Sequence, residues 1–182
     1  MYVPPLFKTE TETALAFAAQ RGFGTFVAVA DGKPIAAHLP FVLNRAGSHA
    51  QIEAHVARGN LLHRIIGTSP HVLVTVTGPD AYISPDWYLA DDQVPTWNYV
   101  SVHLSGTARV LPATENLAVV DRLSAEFEER LKPKPAWKTD KMTAARKEAM
   151  LGAIVAFEID VTSVEASHKL SQNKPRADRL EV

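Results

Sequence analysis

Two runs of apolar and β-branched residues joined by a tight turn limit the possible folds more than any other feature of this sequence. Phe23 to Ala30 and Pro34 to Leu43 flank Asp31-Gly32, a dipeptide that favours the primed turns of β-hairpins. A second turn sequence at 44–48 leads into another alternating run, from His49 to Val56. The pattern predicts three antiparallel strands in this region.

The rest of the chain alternates strands and isolated helices without regular helical crossovers. Further runs with strand character are 71–77, 98–111 and 153–159. Capping residues or helical apolar spacing predict helices at 9–21, 61–66, 115–131 and 139–151. The expected fold is mainly β, or α+β by content, with about six antiparallel strands in a small barrel and peripheral helices. We expect one domain spanning 1–182.

The charge balance and the absence of cysteine exclude several classes of protein. The chain has 19 Lys and Arg against 20 Asp and Glu, a formal net charge of −1, so direct DNA binding is not expected. Without cysteine there is no disulfide, thiolate nucleophile or iron–sulfur cluster. We find no signal peptide and no apolar run long enough to span a membrane, which predicts a soluble cytoplasmic protein without a membrane partner.

The segment from His55 to Asn60 is a candidate anion site. It runs from a strand end into the predicted start of a short helix, where backbone N–H groups and the helix dipole favour negative charge. Arg58 adds a side chain that can form two hydrogen bonds to a phosphate. A solvated loop that contains an arginine is an equally good interpretation.

Two further segments have unusual composition. Residues 78–103 hold two of the three tryptophans and three of the four tyrosines. Aromatic residues outside a periodic element are typical of a cofactor or partner surface, although a loop folded on itself is the alternative. The donor-rich segment 169–174 follows the last predicted strand and, by itself, is also compatible with an irregular tail.

Other catalytic patterns are weak or absent. His38, His55 and His103 lie on three predicted strands and in principle form a three-histidine metal site, but no ligand-spacing motif accompanies them, so no metal is predicted. The chain has no nucleophile elbow, Walker loop or dinucleotide glycine fingerprint. These absences argue against hydrolase and nucleoside triphosphatase functions.

The motifs together resemble those of the PaiB family, small bacterial proteins described as FMN-binding negative transcriptional regulators. The resemblance covers essentially the whole chain and rests on MYVPPLF, AAHLPF, EAHVARGN, GPDAYISPDWY, VPTWNYVSVHLSG and KLSQNK, in that order. VPTWNY and KLSQN are the specific segments. One departure is Asn60-Leu61, where the family typically has Asn-Pro. The loss of this proline leaves the backbone at the helix start less rigidly preset.

The resemblance implies a split β-barrel of the FMN-binding type that forms a homodimer and holds FMN in a groove at the dimer interface. It implies that this groove is lined by His38, His55, Arg58, Asn60, Thr96, Trp97, Asn98, Lys169 and Gln172. The function we expect is a flavin-dependent oxidoreductase, similar to a flavin reductase, with a small-molecule redox substrate. The alternatives are an FMN-binding transcriptional regulator without turnover and a haem-binding split barrel.

Overall fold

The computed structural model describes residues 1–182 as one antiparallel sheet with peripheral helices. The strands are β1 Phe23–Ala30, β2 Lys33–Pro40, β3 Val42–Ala46, β4 His49–Ala57, β5 His71–Ile83, β6 Thr96–Val110 and β7 Ile154–Lys169. The α-helices are α1 Thr11–Arg21, α2 Leu62–Thr68, α3 Asn116–Glu129, α4 Ala144–Gly152 and α5 Arg176–Leu180. The strand order is β2-β1-β5-β6-β7-β4-β3. None of the helices is both long and apolar enough to cross a lipid bilayer.

The antiparallel sheet and the peripheral helices are confirmed, but the expected six-stranded closed barrel is wrong. The sheet has seven strands and is open, with β2 and β3 at its edges. The difference arises at 34–43, which we predicted as a single strand. The N–H of Phe41 still donates to Gly22 O at 2.8 Å, in register with β1, but the residues from Val42 onward pair with β4 instead. The chain therefore leaves one edge of the sheet at Pro40 and enters the other at Val42.

The last strand runs further than predicted. β7 reaches Lys169, whereas the apolar run that predicted it ends at 159. Its register with β6 shifts next to Gly106, where a Cβ would lie 2.4 Å from a backbone oxygen of β7. Only glycine allows the two strands to approach so closely. This irregularity divides β7 into a first half, 154–160, and a second half, 161–169.

The sheet is strongly curled around an apolar core. Phe26 on β1 and Phe157 on β7 lie three strand positions apart, a separation of about 14 Å in a flat sheet. Their ring centroids are nevertheless only 5.8 Å apart, and Phe41 packs edge-on against Phe26 at 6.0 Å. The helices α1 and α2 contribute to the same core through Ala14, Leu15, Ala18, Leu62, Ile65 and Ile66.

A helix covers part of the outer face of the sheet, over β3, β4 and β7. α3 packs against β3, β4 and β7, and Arg122 donates hydrogen bonds of 2.7 and 2.9 Å to the buried carboxylate of Glu53. On β1, β5 and β6, the outward side chains of Thr25, Thr75 and His103 are only partly buried. The molecule therefore has one outer surface sealed by a helix and one that is not.

Candidate functional site

The residues singled out by the sequence form two main groups at opposite ends of β7. Arg58 and Asn60 follow β4, whose last residue pairs with the first residue of β7. Lys169 ends β7 beside the start of β6, where Thr96 and Asn98 lie. A straight strand of 16 residues spans about 50 Å, and even a strongly bent one keeps these groups well separated. A single chain therefore does not gather both groups around one small ligand.

Arg58 is held by backbone oxygens at the start of β7. Its Nε donates to Gly152 O at 2.9 Å and its Nη2 to Ile154 O at 3.1 Å, which leaves Nη1 without a protein partner. Asn60 Oδ1 accepts a hydrogen bond from Leu62 N at 2.9 Å and so caps the first turn of α2. The anion site was predicted with an uncapped helix start and an unbonded arginine. In the structure Asn60 caps the helix and Arg58 is bonded to two backbone oxygens.

His55 faces a different environment. It lies on the outer side of β4 and lines a cavity of about 270 Å³ between α3, α4 and the sheet, which we call the helix-side cavity. Burial lowers the pKa of the His55 imidazole below its ordinary value because the charged form loses solvation. Its Nδ1 is buried without a hydrogen-bond partner. The cavity is lined by His55, Val120, Ser124, Trp137, Thr139, Met142, Lys147, Met150, Leu151 and Ile154.

The second group lines a cavity of about 200 Å³, which we call the strand-end cavity, where β6 begins and β7 ends. Lys169 Nζ donates to Thr96 Oγ1, and Ser171 Oγ donates to Asn98 Oδ1 at 3.0 Å. No carboxylate lines this cavity, so the ammonium groups of Lys169 and Lys174 make it positively charged. Its walls are formed by Phe7, Val94, Thr96, Asn98, Lys169, Ser171, Asn173 and Lys174.

Gln172 shapes the loop after β7 instead of lining the strand-end cavity. Its Nε2 donates to His168 O at 2.5 Å, and its Oε1 accepts from Leu170 N at 2.7 Å. Between them Ser171 is buried with a φ of +59°, a left-handed conformation that side-chain-bearing residues seldom adopt. The bonds of Gln172 hold this turn, and the turn directs the Ser171 hydroxyl to Asn98.

The aromatic run at 78–103 lies partly on strands, since β5 extends to Ile83 and β6 begins at Thr96, whereas Trp87 and Tyr88 lie between the two strands. β5 continues past a bulge and pairs with the start of β6, so Tyr82 lies opposite Trp97 with ring centroids 6.0 Å apart. Both side chains are about half exposed, at 48% and 54%. Because alternate residues of a strand face opposite sides, Trp97 points away from Thr96 and Asn98. The aromatic pair therefore forms an exposed surface beside the strand-end cavity.

His38 lies apart from both groups, on the outer face of β2. Its Nδ1 shares a 2.9 Å hydrogen bond with Thr25 Oγ1 on β1. His103 occupies the same row across the sheet, since Thr25 pairs with Thr75 and Thr75 pairs with His103. His55 is in the helix-side cavity, so the three candidate histidines do not form a cluster.

Two residues at or near the strand-end cavity were not predicted from the sequence. Lys174 supplies the second cation of the strand-end cavity. Asp178 on α5 is 2% exposed, and its Oδ1 accepts from Leu89 N at 3.0 Å and Ala90 N at 3.3 Å. Lys174 lies inside the donor-rich segment 169–174, so the sequence pointed to its neighbourhood. Asp178 lies in a polar tail, where no sequence pattern indicates that an aspartate is buried. Asp178 ties α5 to the segment that leads into β6.

Comparison with known proteins gives a family match over most of the chain. Residues 1–163 match the family described as "Putative FMN-binding domain". The whole chain is also 38% identical to the Protease synthase and sporulation protein PAI 2 of Bacillus subtilis, and the match covers 87% of that protein.

Solved structures share the fold at low sequence identity. The FAD and haem binding protein from Mycobacterium smegmatis matches with a TM-score of 0.64 and 18% identity, over 94% of this chain and 77% of that one. A conserved hypothetical protein from Mycobacterium tuberculosis matches with a TM-score of 0.66 and 11% identity, over 97% and 95% of the two chains. At these identities the likeness concerns the fold alone.

Proposed function

The chain belongs to the FMN-binding PaiB family, and from this premise we propose that it binds FMN in a groove completed by a second copy and uses the flavin to oxidise or reduce a small molecule. The observation that carries the proposal is the positively charged strand-end cavity at one end of β7 with Arg58 at the other. When bound, FMN supplies the transfer of electrons or hydride that amino-acid side chains do not provide.

The strand-end cavity suits one edge of a flavin. Thr96, Asn98 and Lys169 present hydrogen-bonding groups there, and no carboxylate repels an electron-rich edge. Its volume of about 200 Å³ is below the range of about 300–1,000 Å³ typical of sites that enclose a whole ligand of this size. The cavity therefore holds the polar pyrimidine edge, and the rest of the cofactor lies outside it.

Arg58 suits the phosphate. Its two bonds to backbone oxygens fix the plane of the guanidinium group, and Nη1 stays free for an anion. Asn60 holds the adjacent turn in place by capping α2. The exposed pair of Tyr82 and Trp97 provides an apolar surface for the ring system.

A second copy of the chain brings these parts together. A two-fold axis near the middle of β7 would place the Arg58 end of one copy close to the Lys169 end of its partner. The outer face of β2, β1, β5 and β6, which carries His38 and His103, has no helical cover and offers a surface for that contact. A homodimer therefore supplies both ends of one flavin site.

An oxidoreductase is favoured over a regulator that binds DNA directly. A net charge of −1 leaves few cations for phosphate contacts, and no helix pair of the DNA-reading kind was found in the sequence. We therefore expect no sequence-selective, salt-resistant complex with DNA. A gel shift across a salt series tests this, and a selective complex at physiological salt would support the regulator.

The visible spectrum of the purified protein, before and after FMN is added, tests the cofactor. We expect flavin absorption and stoichiometric uptake of FMN, whereas a Soret band would show haem. In the Arg58→Ala variant, FMN affinity should fall by about fivefold or more and riboflavin affinity should change little, because riboflavin lacks the phosphate. Equal losses for both ligands would show that Arg58 acts only through its bonds to the backbone.

Turnover is tested on the FMN-loaded protein under anaerobic conditions. We expect NADH or NADPH to bleach the flavin absorbance and an added electron acceptor to restore it. A flavin that neither nicotinamide donor reduces would contradict the proposed reductase activity but not the proposed FMN site.

A further inference from the structure

The helix-side cavity opens to solvent on one side, and its walls are formed mainly by apolar side chains. Its apolar walls come from Val120, Trp137, Met142, Met150, Leu151 and Ile154. α4 buries none of its residues completely, so it lies over the cavity without packing into it. Apolar walls that face an unfilled volume lose contacts they would otherwise make, which favours a ligand with apolar surface.

Two polar groups converge on this apolar space. His55 Nδ1 is buried without a partner, and burial keeps the imidazole neutral by lowering its pKa. The side chain of Lys147 is half-buried, makes no hydrogen bond or ion pair, and lines both this cavity and the neighbouring one beside Arg58. An unpaired ammonium at the edge of an apolar space favours an anionic ligand.

We infer that the helix-side cavity binds a single-ring aromatic carboxylate, with the ring against Trp137 and the two methionines and the carboxylate on Lys147. An indole ring and thioether sulfurs both make favourable contacts with an aromatic ring. Lys147 is the one cation that lines the cavity, and a single positive charge matches a monoanion better than a phosphate dianion. His55 supplies a hydrogen bond to a polar substituent of the ligand.

The lining residues separate this site from the proposed flavin site. A volume of about 270 Å³ accommodates one ring with its substituents. Of the residues implied in the flavin groove, only His55 lines this cavity. The inference therefore stands on residues other than those that carry the proposed function.

Benzoate is the probe, and the indole N–H signals of the three tryptophans in a ¹H–¹⁵N NMR spectrum are the readout. Trp137 lines the cavity, whereas Trp87 and Trp97 do not and serve as internal controls. We expect benzoate to shift the Trp137 signal with a Kd of about 1 mM. Benzamide, which has the same shape without the charge, should bind much more weakly. The Trp137→Phe variant assigns the signal.

Substitution of the cation tests the charge complementarity. Lys147→Met should weaken benzoate binding by about fivefold or more, whereas Lys33→Met, a matched change at the exposed first residue of β2, should leave it unchanged. FMN-saturated protein should still bind benzoate. The inference is overturned if Trp137 does not shift up to about 20 mM benzoate. It is also overturned if benzamide binds equally well, if Lys147→Met has no effect, or if FMN displaces benzoate.

Discussion

The two halves of β7 differ in how their edges are paired and in how much of each is buried. The first half pairs with β4 on one edge and β6 on the other, and Phe157 and Ile159 are completely buried. On its other face, Ala156 and Glu158 are buried beneath α3. The second half pairs with β6, and its other edge has only one bridge, between Lys8 and Ser167.

The difference separates stability from binding. Buried apolar area and a doubly paired backbone concentrate the free energy of folding in the first half. The second half ends in Lys169 and the strand-end cavity, where polar groups remain available to a ligand. Changes in the second half should therefore affect ligands at little cost to the fold, and the predictions below test that division.

The largest effect should follow from Phe157→Ala in the first half. The ring is fully buried against Phe26, so its loss leaves a cavity and should lower the free energy of unfolding by about 3–5 kcal/mol. Val164→Ala, at a half-buried position of the second half, should cost about 1 kcal/mol. Urea unfolding measures both, and equal losses would contradict the division of β7.

The next largest loss of stability should follow from a substitution in α3, the helix that covers the first half of β7. Arg122→Met removes the partner of the buried Glu53 carboxylate and should cost about 2 kcal/mol, since Arg122 is partly exposed. Lys132→Met, which breaks an exposed ion pair with Glu129, is the matched control and should change stability by less than about 0.5 kcal/mol. A similar small change for Arg122→Met would show that α3 does not depend on this pair.

A substitution in the second half of β7 should change the affinity for the ligand instead of the stability of the fold. Lys169→Ala removes a cation from the strand-end cavity and should lower FMN affinity by about tenfold, with little change in the urea midpoint. Equilibrium titration with FMN measures the affinity. Riboflavin should lose affinity to the same degree, because this end of the site holds the ring system. A loss confined to FMN would instead place the phosphate here.

The smallest effect should be a dependence of stability on pH. Burial lowers the pKa of His168 in the second half and of His55 beside the first. Between the lowered pKa and the ordinary value of about 6.5, the unfolded chain binds more protons than the folded one, so the free energy of unfolding falls as the pH falls through this window.

His168→Leu should reduce this loss of stability in acid, whereas His71→Leu, a substitution at an exposed histidine, should not. Urea unfolding at about pH 7.5 and about pH 5 measures the difference. Identical pH dependence in the wild type and in His168→Leu would contradict a role for His168 burial.

The sequence predicted the parts of the fold in which apolar residues repeat with a clear period. The β1–β2 hairpin, the helix at 115–131 and the first half of β7 all follow this rule. The second half of β7 was missed because residues 161–169 are mixed in polarity, and the pairing with β6 that orders them joins distant parts of the chain. Similarly, the division of 34–43 at Phe41 depends on a change of pairing partner from β1 to β4, which no local pattern reveals.

The candidate site was less predictable than the fold. Family motifs pointed to Thr96, Asn98 and Lys169, which the structure brings together. They also pointed to Gln172, whose bonds within its own loop give it a positioning role. Lys174 lies in the family segment KLSQNK without having been predicted as a site residue, and Asp178 and the unpaired Lys147 lie in no motif, because their surroundings arise from contacts between segments far apart in sequence.

The central claim is that one flavin site takes Arg58 from one copy and Lys169 from the other. A mixed dimer of one Arg58→Glu chain and one Lys169→Glu chain, purified with two different affinity tags, tests it directly. Each variant alone should bind FMN poorly, because a carboxylate repels the cofactor at one end of each site. In the mixed dimer one site regains both native residues, and we predict one FMN per dimer with wild-type affinity. A mixed dimer that binds FMN as poorly as its parents would show that each site lies within a single chain.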